Sequence, residues 1–148
     1  MNMNRDDRTT ALGLHRFGSE YLLACEILIQ QSDSIKILAV KYYLAAHSLE
    51  LLIKAFLRNN DKPLAAIKQL GHSLTRLLCA AEKYEQWDQL QLTAEERTAV
   101  EMIAPYYCGK ELEYIVSGYK EYPALEYLVD LNKRLSAGIK AQILERMR

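Results

Sequence analysis

The stretch from Asp33 to Arg58 is what most restricts how this chain can fold. Wound at about 100° per residue, Lys36, Tyr43, His47, Glu50, Lys54 and Arg58 fall within about 80° of one another. The far side carries Leu38, Tyr42, Ala45, Leu49, Leu52 and Phe56. Both flanks are apolar too, with Ile53 and Leu57 on one and Leu44 and Leu51 on the other. A helix that is apolar around most of its circumference must be wrapped by others, so this one is predicted to be the centre of the fold. It stops at Asn59-Asn60-Asp61-Lys62-Pro63, a polar breaker cluster ending in proline.

The wrapping elements are also read as helices. From Thr10 to Gln31, Leu14, Phe17, Tyr21, Cys25 and Leu28 recur at helical spacing, and Gln31-Ser32-Asp33-Ser34 follows with turn and N-cap chemistry. Pro63 to Leu70 is a short helix or turn. Gly71-His72-Ser73 opens a helix to about Tyr84, with Leu74, Leu77, Leu78 and Ala81 as its stripe. Gln86 to Leu92 reads as a loop, and Trp87 within it has no assigned role. Thr93-Ala94-Glu95-Glu96 matches the capping box that starts a helix, and Pro105 is expected to kink or end that helix near Tyr106. Lys110 to Tyr122 is Tyr-rich, contains Gly118 and is expected to be irregular. After Pro123 a last helix carries Leu125, Leu128, Leu131, Leu135, Ile139 and Ile143. The sum is an all-α bundle of about five helices, one domain over 1–148 with residues 1–9 polar and frayed.

Composition narrows the function. Lys+Arg and Asp+Glu number 19 each, so the net charge is zero and a broadly cationic nucleic-acid surface is excluded. No uncharged run exceeds eight residues, against the ~18 needed to cross a bilayer. The opening MNMNRDDRTT lacks an apolar signal core, so a soluble, cytoplasmic protein without a membrane partner is expected. Cys25, Cys79 and Cys108 form no Cys-x-x-Cys pair, which fits reduced, mostly buried thiols. Gly13 to Ser19 has the glycine spacing of a phosphate-binding loop but lacks its lysine and lies within a helical pattern. Gly-x-Gly-x-x-Gly, His-Glu-x-x-His and paired Cys/His zinc spacings do not occur, so no cofactor or metal is expected.

What remains is the polar stripe on the central helix. Glu50 and Lys54 are an i,i+4 pair in the favourable order, His47 lies a turn earlier, and His72 stands at a helix start where anions are favoured. These residues either neutralise and cross-link one another structurally, or converge on a cleft that contacts a phosphate or base. Two other features are equally open. Six tyrosines lie between Tyr106 and Tyr127, suited to packing at a bundle edge or subunit interface, or to stacking on bases. Residues 132–148 are basic and 82–101 acidic, so the last helix pairs with that stretch, faces solvent or touches phosphates.

Tyr43-Leu-Ala-Ala-His47-Ser-Leu-Glu50-Leu-Leu-Ile-Lys54-Ala-Phe-Leu, followed by Leu70-Gly-His72-Ser-Leu-Thr-Arg-Leu-Leu, resembles the HEPN superfamily, as does Leu112 to Leu128. The resemblance implies an up-and-down helical bundle, commonly a homodimer. Some members of that family bind nucleotides, some are ribonuclease toxins of toxin–antitoxin or defence systems, and some pair with a small nucleotidyltransferase. Its ribonucleases carry Arg-x(4–6)-His near their C-terminal helices. Here no His follows His72, and the only such spacing is Arg8 to His15, at the wrong end of the chain. The expectation is therefore a nucleotide- or partner-binding domain without ribonuclease activity, with His47, Glu50, Lys54 and His72 lining its site. A homodimeric module partnering a nucleotidyltransferase is the first alternative. A ribonuclease using Arg8 and His15 is the second.

Overall fold

A computed structural model describes residues 8–31 and 33–148. It is all-α. Six α-helices run in the order α1 (Ala11–Ile29), α2 (Leu38–Asn59), α3 (Leu64–Gln69), α4 (Leu74–Ala81), α5 (Ala94–Cys108) and α6 (Leu125–Arg146). Short 3-10 turns cover Ser34–Ile37 and Glu85–Leu90, and no strand occurs among the described residues. The fraying expected for residues 1–9 falls mostly outside the described range. No helix among the described residues is long and apolar enough to cross a membrane.

The predicted centre is the observed one. Twelve of the 22 residues of α2 are buried, and α1, α3, α4, α5 and α6 all pack on it. Leu49, Leu52, Ile53 and Phe56 sit in one core with Leu74, Leu77, Ile103, Leu128, Leu131 and Ile139. Polar cross-links fix the helices around it: Ser48 donates to the Gly18 carbonyl at 2.7 Å, and Asn132 donates to the Ala45 carbonyl at 2.8 Å. The Tyr42 hydroxyl reaches the Pro123 carbonyl just ahead of α6. At the start of α5, Thr93 and Glu96 exchange the two bonds of the capping box at 3.1 and 2.9 Å.

Three expectations change. The buried face of α1 is His15, Gly18, Leu22 and Cys25, which leaves Phe17 57% exposed instead of in the core. The cause is close approach. A Cβ on Gly18 would lie 3.0 Å from Leu52, so the face without side-chain bulk is the one that meets α2. Pro105 lies in the last turn of α5, which ends at Cys108, close to the end expected near Tyr106. Glu101, whose carbonyl loses its partner there, is exposed, so water can take that bond. Residues 85–90 are not a free loop. Trp87 is buried and meets Phe56 edge-on at 4.9 Å, and Leu90 is buried with it. Finally, only one thiol is buried. Cys25 lies inside, with its Sγ donating to the Lys41 carbonyl at 3.4 Å, while Cys79 and Cys108 are exposed.

The basic stretch 132–148 is partly neutralised. Arg134 forks onto Glu96 at 2.6 and 2.8 Å, Lys133 lies 3.5 Å from Glu26, and Arg146 binds Asp61 at 2.5 Å. The Glu96 pair joins the two charged segments that the sequence set apart.

Candidate functional site

Lys54 and His72 meet at the Glu50 carboxylate, and His47 is joined to it through Tyr107. Glu50 lies mid-way along α2 and is 2% exposed. Between α3 and α4, Gly71 takes the left-handed conformation with φ 60°, which turns the chain so that His72 comes back onto α2. Ser73 then caps α4, accepting from the Arg76 N–H at 3.3 Å. His72 Nδ1 donates to Glu50 Oε1 at 2.6 Å, and Lys54 Nζ donates to Oε2 at 3.2 Å. The third donor is Tyr107, whose hydroxyl reaches Oε1 at 2.9 Å.

Tyr107 also fixes His47. The phenol has one proton, and that proton goes to Glu50, so the 2.6 Å contact from His47 Nδ1 to the hydroxyl must be donated by the ring. Each histidine thus turns its Nδ1 edge inward, and whatever either offers a ligand comes from Nε2. Burial lowers the His47 pKa below the ordinary imidazole value, with His72 and Lys54 adding to the effect and Glu50 and Glu113 opposing it. Burial, and then the Glu50 charge beside it, push the Tyr107 phenol far above its usual range. His47 is further held by rings: Tyr43 stacks on it at 5.6 Å and Tyr21 meets it edge-on at 4.5 Å.

The group is layered. Glu50 and Tyr107 are sealed, whereas the Lys54 and His72 side chains are 15% and 57% exposed. Towards α1, His47 also lines a groove of about 480 Å³ between α1 and α2, together with Phe17, Tyr21, Leu44 and Leu51. A buried carboxylate that orients surface donors is a positioning device, and it suits holding an anion or a polar partner group. Among the described residues no set of three or more His, Cys, Asp or Glu side chains is arranged to hold a metal ion.

Tyr107 escaped the sequence, where it was one of six clustered tyrosines. Its register on α5 was the available signal: Val100, Ile103 and Tyr107 share the buried face, and a buried phenol requires a hydrogen-bond partner. Of the others, Tyr106 and Tyr122 pack edge-on at 5.1 Å, while Tyr114 and Tyr119 are exposed. His15 lies elsewhere. It is buried between α1 and α6, with Nε2 2.8 Å from the Ser136 carbonyl and Ser19 beside it, and Arg8 is exposed. No family model, no curated protein and no solved structure matches this chain.

Proposed function

We propose that this chain is a HEPN-like helical domain without ribonuclease activity that binds the phosphate of a nucleotide at the edge formed by Lys54 and His72. The observation that carries this reading is the sealed Glu50 carboxylate, which holds Lys54 at 3.2 Å and His72 at 2.6 Å with both side chains reaching the surface. Lys54 supplies the charge, His72 supplies Nε2, and Glu50 fixes the distance between them. The sequence resemblance extends this reading to a component of a bacterial toxin–antitoxin or defence-type system. The lack of any histidine after His72 argues against the family's ribonuclease chemistry.

Calorimetric titration of ATP, GTP and a short RNA tests it. The wild type binds at least one of them, and Lys54→Ala weakens that binding at least tenfold. A wild type that binds none of the three removes the nucleotide reading.

The second reading is a non-catalytic homodimeric module, with a small nucleotidyltransferase as its further partner. The exposed apolar side chains of α1 and α2 (Phe17, Leu23, Ile27 and Val40) favour it. Under this reading Lys54→Ala lowers thermal stability and leaves partner binding intact.

A further inference from the structure

We infer that the groove between α1 and α2 is a binding site for a small apolar amine, with the ammonium held by His47 Nε2 and Glu20 and the hydrocarbon body laid along Phe17, Leu44 and Leu51. The groove includes neither Lys54 nor His72, so it stands whether or not those two bind phosphate. Helical spacing builds it. Phe17, Glu20 and Tyr21 are three and four residues apart on α1, as Leu44, His47 and Leu51 are on α2, so each set lines one wall. None of the six is buried, and Phe17 is 57% exposed. At about 480 Å³, with mainly apolar walls and few polar groups, the groove has the size and make-up of a small-molecule site.

The tautomer of His47 decides what the groove accepts. Its Nδ1 carries the ring proton and donates to Tyr107 at 2.6 Å, because the Tyr107 proton goes to Glu50. Burial lowers the pKa of the ring, against the opposing pull of Glu50 and Glu113, so it is neutral at pH 7. Nε2 is then a bare lone pair, able only to accept. It has no hydrogen-bond partner among the described residues, and it is not sealed: the buried side-chain atoms left unpaired there are Trp87 Nε1, Asn132 Oδ1 and Gln142 Oε1. The one charged side chain on the walls is Glu20. Its contact with Arg16, at 3.4 Å, joins two largely exposed side chains and is weak enough to leave the carboxylate open to a second cation. Lys36, eight residues ahead of Leu44, lies outside the groove. A lone pair and a carboxylate set in apolar walls complement a positively charged donor and repel an anion. Tyr21, edge-on to His47 at 4.5 Å, adds an aromatic ring, which attracts a cation as well as an apolar body.

The test is calorimetric titration of the full chain with 2-phenylethylamine, 2-phenylethanol and 3-phenylpropanoate, which share an apolar body and differ in the head group. The amine is expected to bind with a dissociation constant of about a millimolar or tighter. It binds at least tenfold better than the alcohol, and the propanoate does not bind measurably. Glu20→Gln, at an exposed position that leaves the fold intact, weakens the amine at least threefold and leaves the alcohol unchanged. Nitrogen-15 spectra of the histidine rings locate the ligand. The free protein shows His47 with a protonated Nδ1 and a bare Nε2, and the amine moves that Nε2 resonance more than any resonance of His15 or His72. A wild type that binds none of the three, a propanoate that binds as tightly as the amine, a Glu20→Gln variant of unaltered affinity, or a bound amine that leaves His47 Nε2 in place overturns the inference. ATP titration of the same samples reads the Lys54 and His72 edge separately.

Discussion

Glu50 is the residue on which the candidate site depends, because three donors converge on it where water does not reach. Removing the acceptor strands a buried phenol and two oriented nitrogens. Glu50→Ala is expected to cost about 2–4 kcal/mol, and to lower the melting temperature by roughly 5–15 °C for a chain of this size. Tyr107→Phe removes only the hydroxyl that joins His47 to Glu50, so a loss of about 1–2 kcal/mol is expected in urea unfolding. His47 adds a pH dependence. Above about pH 6.5 its ring is neutral in both the folded and the unfolded chain, so it contributes nothing. Below that value the unfolded chain takes up the proton while the folded ring, held neutral by burial, resists it, and stability falls. His47→Asn keeps a donor where Nδ1 stood and does not titrate. Melts at pH 7.5 and 5.5 should therefore show a smaller acid loss in the variant than in the wild type.

At the scale of elements, what decides each packing is the bulk a helix face lacks as much as the apolar bulk it carries. The α1–α2 seam closes at Gly18, where a Cβ would come within 3.0 Å of Leu52. Gly18→Val forces the helices apart and is expected to destabilise by about 1–3 kcal/mol, read from urea melts. Thr93→Ala removes one half of the capping box and should cost about 1 kcal/mol, with the loss confined to α5 in hydrogen exchange. The same physics explains what the sequence revealed. The position of α2 was legible because leucines and alanines mark nearly all its sides. His47, Glu50 and Lys54 were legible as a group because i,i+3 and i,i+4 spacing alone places them on one face. The buried face of α1 was hidden because two of its four residues, His15 and Gly18, carry no hydrophobic signal. Trp87 was hidden because a short 3-10 turn has too few residues to show a period, although its ring fills the core against Phe56. Tyr107 joins α5 to α2 across 57 residues of chain, a distance that no local pattern spans.

For the molecule as a whole, a single core built around α2 implies a single unfolding event. Trp87, the only tryptophan, sits within that core, so its emission should shift to the red over the same urea range in which helical circular dichroism is lost. Two separated transitions would mean that α5 and α6 part from the rest before α2 unfolds. The distribution of thiols gives the fold a clock of its own. Cys79 and Cys108 stand in solvent, whereas Cys25 is enclosed between α1 and α2, and burial raises its pKa to about 11. A thiol reagent should modify two cysteines at once and then wait. The rate at which the third reacts counts how often α1 swings away from α2, a motion that leaves the average structure unchanged.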